Sequence, residues 1–136
     1  MVLVAWPSVS ACGRTDLAGE LTRRAADGPA GIPFTIDDVV AGDWTDVWLF
    51  EPYTDASQLA APFDDSWQDV RTSISDHEGV CLLVFARGRS VVAWADVPRR
   101  TADYCPIAGM RSPLPRRQTF VKSGEDEAFP SVRATS

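Results

Sequence analysis

The stretch VCLLVFARGRSVVAWADVP, residues 80–98, limits the fold more than any other part of the chain. Val80–Ala86 and Ser90–Val97 are apolar runs rich in β-branched and aromatic residues, and Arg87-Gly88-Arg89 joins them. A glycine-centred turn between two such runs predicts an antiparallel hairpin. A hairpin buries little by itself, so the remaining segments must supply further strands and a covering layer.

The segment from Trp44 to Glu51, WTDVWLFE, predicts a third strand. Trp48 and Phe50 lie on one face and Val47 and Leu49 on the other, so both faces should be covered. Pro52 stops that ladder. Thr54 can cap a brief helix, TDASQLAA, that Pro62 ends. From Phe63 to Ile74 the pattern is ambiguous, with Trp67, Val70 and Ile74 at helical spacing before SDHEG turns the chain. A further strand is expected over 118–122. Ile36 to Val40 reads as a turn of helix or a short extended piece. Upstream, Thr15 or Asp16 can cap a helix through Ala26 that places Leu17, Leu21 and Ala25 on one side and ends at Asp27-Gly28-Pro29. The expected fold is α+β: a small antiparallel sheet of three to five strands with one or two short helices on one face. Five tryptophans and six phenylalanines give its core large, stiff pieces.

At 136 residues the chain suits one domain. No stretch approaches the roughly twenty apolar residues that a membrane-spanning helix needs. The net charge of −6 argues against nucleic acid as a partner, because that affinity rests on neutralising phosphates. Charge is also unevenly placed. From Asp37 to Glu78 eleven acidic residues face one basic residue, Arg71, whereas Arg87 to Arg117 holds seven arginines against Asp96 and Asp103. Such blocks either make a dipolar surface or interleave on folding and pair locally; the second is the simpler expectation.

Residues 1–11, MVLVAWPSVSA, carry no charge, and Cys12 then precedes the polar Gly13-Arg14-Thr15-Asp16. Val9-Ser10-Ala11-Cys12 resembles the lipobox of bacterial lipoproteins. The resemblance implies a diacylglycerol thioether on Cys12 and cleavage before it. Eleven residues without a basic n-region are short for a signal peptide, so the true start is expected upstream. On this reading 1–11 is a signal-peptide remnant, 12–33 a tether with a short helix, 34–122 the domain and 123–136 a frayed tail. Cys81 and Cys105 would then be free to form a disulfide in an oxidising compartment, or else stay a buried hydrophobe and a separate surface thiol.

A second resemblance rests on Trp44, Val47, Trp48, Leu49, Phe50, Pro52 and Tyr53, followed by the hairpin. These positions are similar to a strand-turn pattern found in a group of small exported bacterial proteins, many of them lipoproteins. Asp46 lies one place later than that group's acidic position, which Thr45 occupies. The resemblance spans roughly residues 34–98. It implies export and this fold, and it assigns no catalytic residue.

Candidate chemistry is sparse. His77, the only histidine, follows Asp76, which could orient it as a general base, but Ser75–Gly79 reads more simply as a solvated turn. There is no Gly-x-Ser-x-Gly elbow. Asp64 and Asp65 with Asp69, or Asp76 with Glu78, could pair as hydrolytic carboxylates. The cysteines and the lone histidine lack zinc-site spacing, and Gly28, Gly31 and Gly42 fit no phosphate loop, so no metal or cofactor is expected. Tyr53, Trp67 and Trp94 could form a ligand-facing aromatic platform. Arg99-Arg100 and Arg116-Arg117 could touch anionic headgroups or simply solubilise the rim. The expected function is a non-catalytic, lipid-anchored domain on the outer face of the cytoplasmic membrane that binds an envelope component or partner. The alternatives are a hydrolase using Asp64, Asp65, Asp76 and Glu78 with His77, and a cytosolic interaction protein.

Overall fold

A computed structural model describes residues 17–100, 102–108, 113–123 and 131–135. Thr15, Asp16 and Cys12 lie outside them. Helix α1 occupies 17–27, followed by strands β1 (Phe34–Thr35) and β2 (Asp46–Phe50). Next come helix α2 (Ala56–Ala60), a 3-10 helix (Asp65–Asp69), and the hairpin β3 (Val80–Arg87) and β4 (Ser90–Pro98). Helix α3 (Cys105–Ala108) and strands β5 (Leu114–Pro115), β6 (Thr119–Lys122) and β7 (Val132–Ala134) complete the order. The fold is α+β. Its strands divide between two small antiparallel sheets, one ordered β4-β3-β2-β5 and the other β1-β6-β7.

The hairpin forms as its sequence demands. Arg87 pairs with Ser90, leaving a two-residue turn in which Gly88 takes φ +60. Glycine at the first turn position with positive φ matches a type II′ turn, whose twist suits the flanking strands. Strand β3 is central, pairing Leu83 with Leu49 of β2 on one side and with Ala95 of β4 on the other. A bulge between Phe85 and Ala86 leaves Val92 unpaired on β4.

Alternation along β3 separates two cores. Cys81, Leu83 and Phe85 join Val47, Leu49, Ala95 and Val97 in the larger one, with Trp44 packed edge-on against Phe85 at 4.9 Å. Helix α1 belongs to it as well: Leu21 and Ala25 are fully buried. The buried Tyr104 hydroxyl donates to the Leu21 carbonyl at 2.7 Å, and burial pushes its pKa well above the ordinary phenol value. Leu82, Val84 and Ala86 face the smaller core with Leu59, Phe63 and Ile74.

Two stretches outside the expected 34–122 domain pack against it. Residues 17–27 are a core helix rather than tether, because their apolar stripe is buried under the sheets. The tail is not frayed throughout: β7 pairs with β6, and Val132 is completely buried. Helix α2 is capped by Asp55, whose carboxylate accepts from the Gln58 N–H at 2.9 Å, and not by Thr54.

Candidate functional site

The segment Glu51–Gly79 holds seven carboxylates against one arginine, a net −6 that equals the net charge of the whole chain, so the remaining residues balance. It comprises α2, the 3-10 helix and the following loop, and its Leu59, Phe63 and Ile74 close one face of the four-stranded sheet. Seven of the eleven acidic residues between Asp37 and Glu78 thus belong to one layer on this side of the sheet, while Asp37, Asp38, Asp43 and Asp46 lie outside it.

Strand β4 holds this layer by polar ties. Ser90 Oγ donates to Asp64, the Val91 N–H to Ser66 Oγ at 2.7 Å, and Trp94 Nε1 to the Arg71 carbonyl at 3.2 Å. Asp96 accepts from the Thr72 hydroxyl and from the N–H and hydroxyl of Ser73. Arg89 donates to the Phe63 carbonyl, and the Asp64 N–H donates to the Arg89 carbonyl.

Asp64 is therefore a cap and a tie. Its carboxylate accepts from the Ser66 hydroxyl and N–H and from Ser90, and these bonds hold its pKa below the usual range. Asp65 is exposed beside it. These two lie at the turn end of the hairpin, whereas Asp76, His77 and Glu78 precede Val80 at the other end, where the Arg99 N–H meets the Gly79 carbonyl. Eight residues of β3 at about 3.3 Å each separate the two groups by roughly 25 Å. The carboxylates proposed for hydrolysis do not share a cleft. His77 Nδ1 accepts from the Gly79 N–H at 2.9 Å, inside the anticipated turn. Among the described residues no group of three or more His, Cys, Asp or Glu could hold a metal.

The aromatic candidates also divide. Trp67 and Trp94 are half-buried against the smaller core, and Trp67 stacks on Phe63 with centroids 5.3 Å apart. Tyr53 is not part of that cluster and is 62% exposed. It occupies the third position of a turn closed by the Thr54 N–H to the Glu51 carbonyl, with Pro52 at the second. Its φ of +66 suits the glycine usual there in a type II turn, and it is the one non-glycine residue with positive φ among those described. The bond from its N–H to the Ile74 carbonyl, 2.7 Å, fixes the turn to the acidic layer. A bulky side chain in that backbone region costs about 1–2 kcal/mol. The Pro-Tyr pair signals the turn, but not that tyrosine stands where glycine is preferred.

Two of the four rim arginines are structural. Arg116 donates to the carbonyls of Asp37, Gly42 and Trp44, and its guanidinium lies 4.6 Å from the Trp44 ring centre. Arg99 forms a two-bond pair with the nearly buried Asp103, whose carboxylate also accepts from the Cys105 N–H. Arg100 and Arg117 are exposed. Arg87 pairs with Asp43, so the charge blocks interleave in part, yet the Glu51–Gly79 layer keeps its excess.

Cys81, buried in β3, and Cys105, at the start of α3, are joined as a disulfide with Cα atoms 5.4 Å apart. No protein-family model, curated protein or solved structure matches the chain.

Proposed function

We propose that this is an exported domain tethered to the outer face of the cytoplasmic membrane through a lipid on Cys12, and that it works by binding an envelope component or partner. The observation that carries this reading is the Cys81–Cys105 disulfide, which pins α3 to the central strand inside the larger core. Such bonds persist in oxidising compartments and are rare in the cytosol. The lipobox-like Val9-Ser10-Ala11-Cys12 and the likeness of Trp44–Tyr53 to small exported bacterial proteins support the same compartment.

Binding is favoured over hydrolysis by the placement of the carboxylates. Asp64 spends its oxygens on Ser66 and Ser90, and Asp76 and Glu78 lie at the far end of the hairpin. The acidic layer with Tyr53 exposed at its margin is the surface best suited to a partner. Two or more acyl chains on Cys12 would anchor stably, whereas one would hold only marginally.

Mass spectrometry of the natural protein tests this reading. The expected result is a chain beginning at a diacylglyceryl Cys12, with Cys81 and Cys105 alkylated only after reduction. An unmodified Cys12 still preceded by Ala11 would refute the tether and favour a cytosolic interaction protein.

A further inference from the structure

We infer that the α1 side of the molecule faces the membrane, with the outer side of α1 and the loop at 28–34 forming a lipid-contact surface. The inference rests on the lipid at Cys12 proposed above.

Its first support is chain length. Only Gly13 to Asp16 separate Cys12 from Leu17, so five residue steps reach at most about 18 Å. Leu17 is already buried in the larger core, on the side of the sheet opposite the acidic layer. An acylated Cys12 therefore keeps the start of α1 within that reach of the headgroups.

The second support is the surface itself. A shallow groove of about 410 Å³ runs between α1 and the loop, bordered by Arg23, Asp27, Pro29, Ile32 and Phe34. Ile32 is 56% exposed and Phe34 half-buried. Of the charges beside them, Arg23 pairs with Glu20 and Arg24 with Asp38 at 2.8 Å, while the exposed Asp27 has no ion pair among the described residues. Apposing this side to lipid buries the apolar area of Ile32 and Phe34 provided that the exposed Asp27 stays hydrated at headgroup level, which an interfacial contact allows.

The third support is charge distribution. The net −6 of Glu51–Gly79 lies on the opposite face of the sheet, and an anionic bilayer surface repels it. Tether, exposed isoleucine and charge all select one orientation, with the acidic layer and Tyr53 turned outward.

Coupling the full chain through the Cys12 thiol to a maleimide-bearing lipid tests this orientation without requiring natural acylation. A fluorescent amino acid replaces either Ile32 or the exposed Gln58 of α2, the vesicles contain anionic lipid, and quenchers sit on the acyl chains. Both positions are solvent-exposed, and near-UV circular dichroism checks that each labelled chain keeps the native fold. Quenching at position 32 should exceed that at position 58 by at least about threefold, since an interfacial contact sits 5–10 Å into the headgroup boundary. Equal quenching, or stronger quenching at 58, overturns the orientation while leaving the tether intact. An unlipidated Cys12 in the natural protein overturns the reading beneath it instead, so the two failures are distinct.

Discussion

On one face of the four-stranded sheet, Cys81, Leu83 and Phe85 meet side chains drawn from most of the sequence, from Leu17 to Val132. On the other, Leu82, Val84 and Ala86 meet Leu59, Phe63 and Ile74, all from one segment, with Trp48, Phe50, Trp67 and Trp94 half-buried around them. The first face is closed by distant elements, a disulfide and continuous apolar packing. The second is closed by a local layer that carries the chain's excess negative charge and is tied to β4 through polar bonds. Apolar packing that spans the chain couples a face to global unfolding, whereas a layer held by polar ties at its margin can open alone.

The largest expected effect lies on the first face. Cys105→Ala removes the bridge across a sequence separation of 24, and loop entropy puts the loss near 3.5 kcal/mol in urea unfolding. A loss under about 1 kcal/mol would mean that packing alone fixes α3. Leu21→Ala follows, with about 3 kcal/mol expected for a fully buried leucine. Were 17–27 merely tether, that substitution would leave the unfolding midpoint unchanged.

The outer layer should respond more weakly and more locally. Asp96→Ala removes the acceptor for Thr72 and Ser73, for an expected loss of about 1–2 kcal/mol. Its mark should be faster amide exchange around 63–74 with α1 unaffected; equal acceleration in α1 would show that the two faces open together. Tyr53→Gly relieves the positive-φ strain, so stability should stay level or rise by up to about 1 kcal/mol. A partner that uses this ring would nevertheless bind the variant less tightly, which separates a binding role from a structural one.

Acid should loosen the same layer. Hydrogen bonds from Gln58 to Asp55 and from Ser66 to Asp64 hold both carboxyl groups below their ordinary pKa. Their contribution is complete above about pH 4 and is lost as pH falls through the depressed native values. Among the described residues the α1 side has one such group, Asp38 beside Arg24, against two in the layer. Asp64→Asn should flatten part of the acid dependence of exchange around 64–70.

This contrast was partly legible in the sequence. The Val80–Pro98 hairpin, the Asp46–Phe50 strand and the apolar stripe of α1 all follow from periodicity and turn chemistry. The role of α1 did not follow, because a weakly amphipathic helix beside Gly and Pro looks like linker until Tyr104 and Val132 arrive from far along the chain. The short strands β1, β5 and β7 were equally hidden, since two or three residues carry no period. Among the site residues, Asp64 and Asp76 look alike in sequence. Only the pairing register of β3 and β4 places them at opposite ends, because that separation depends on long-range contacts.

Native-state amide exchange in increasing urea compares the two faces most directly. The amides of Leu59, Trp67 and Val70 should exchange through an opening well below the global unfolding free energy, with a urea dependence that is measurable but clearly smaller than the global one. Those of Leu21, Leu83 and Phe120 should exchange only through global unfolding. One common opening free energy, with one common urea dependence, for both sets would contradict the view that the acidic layer is a separately closing surface.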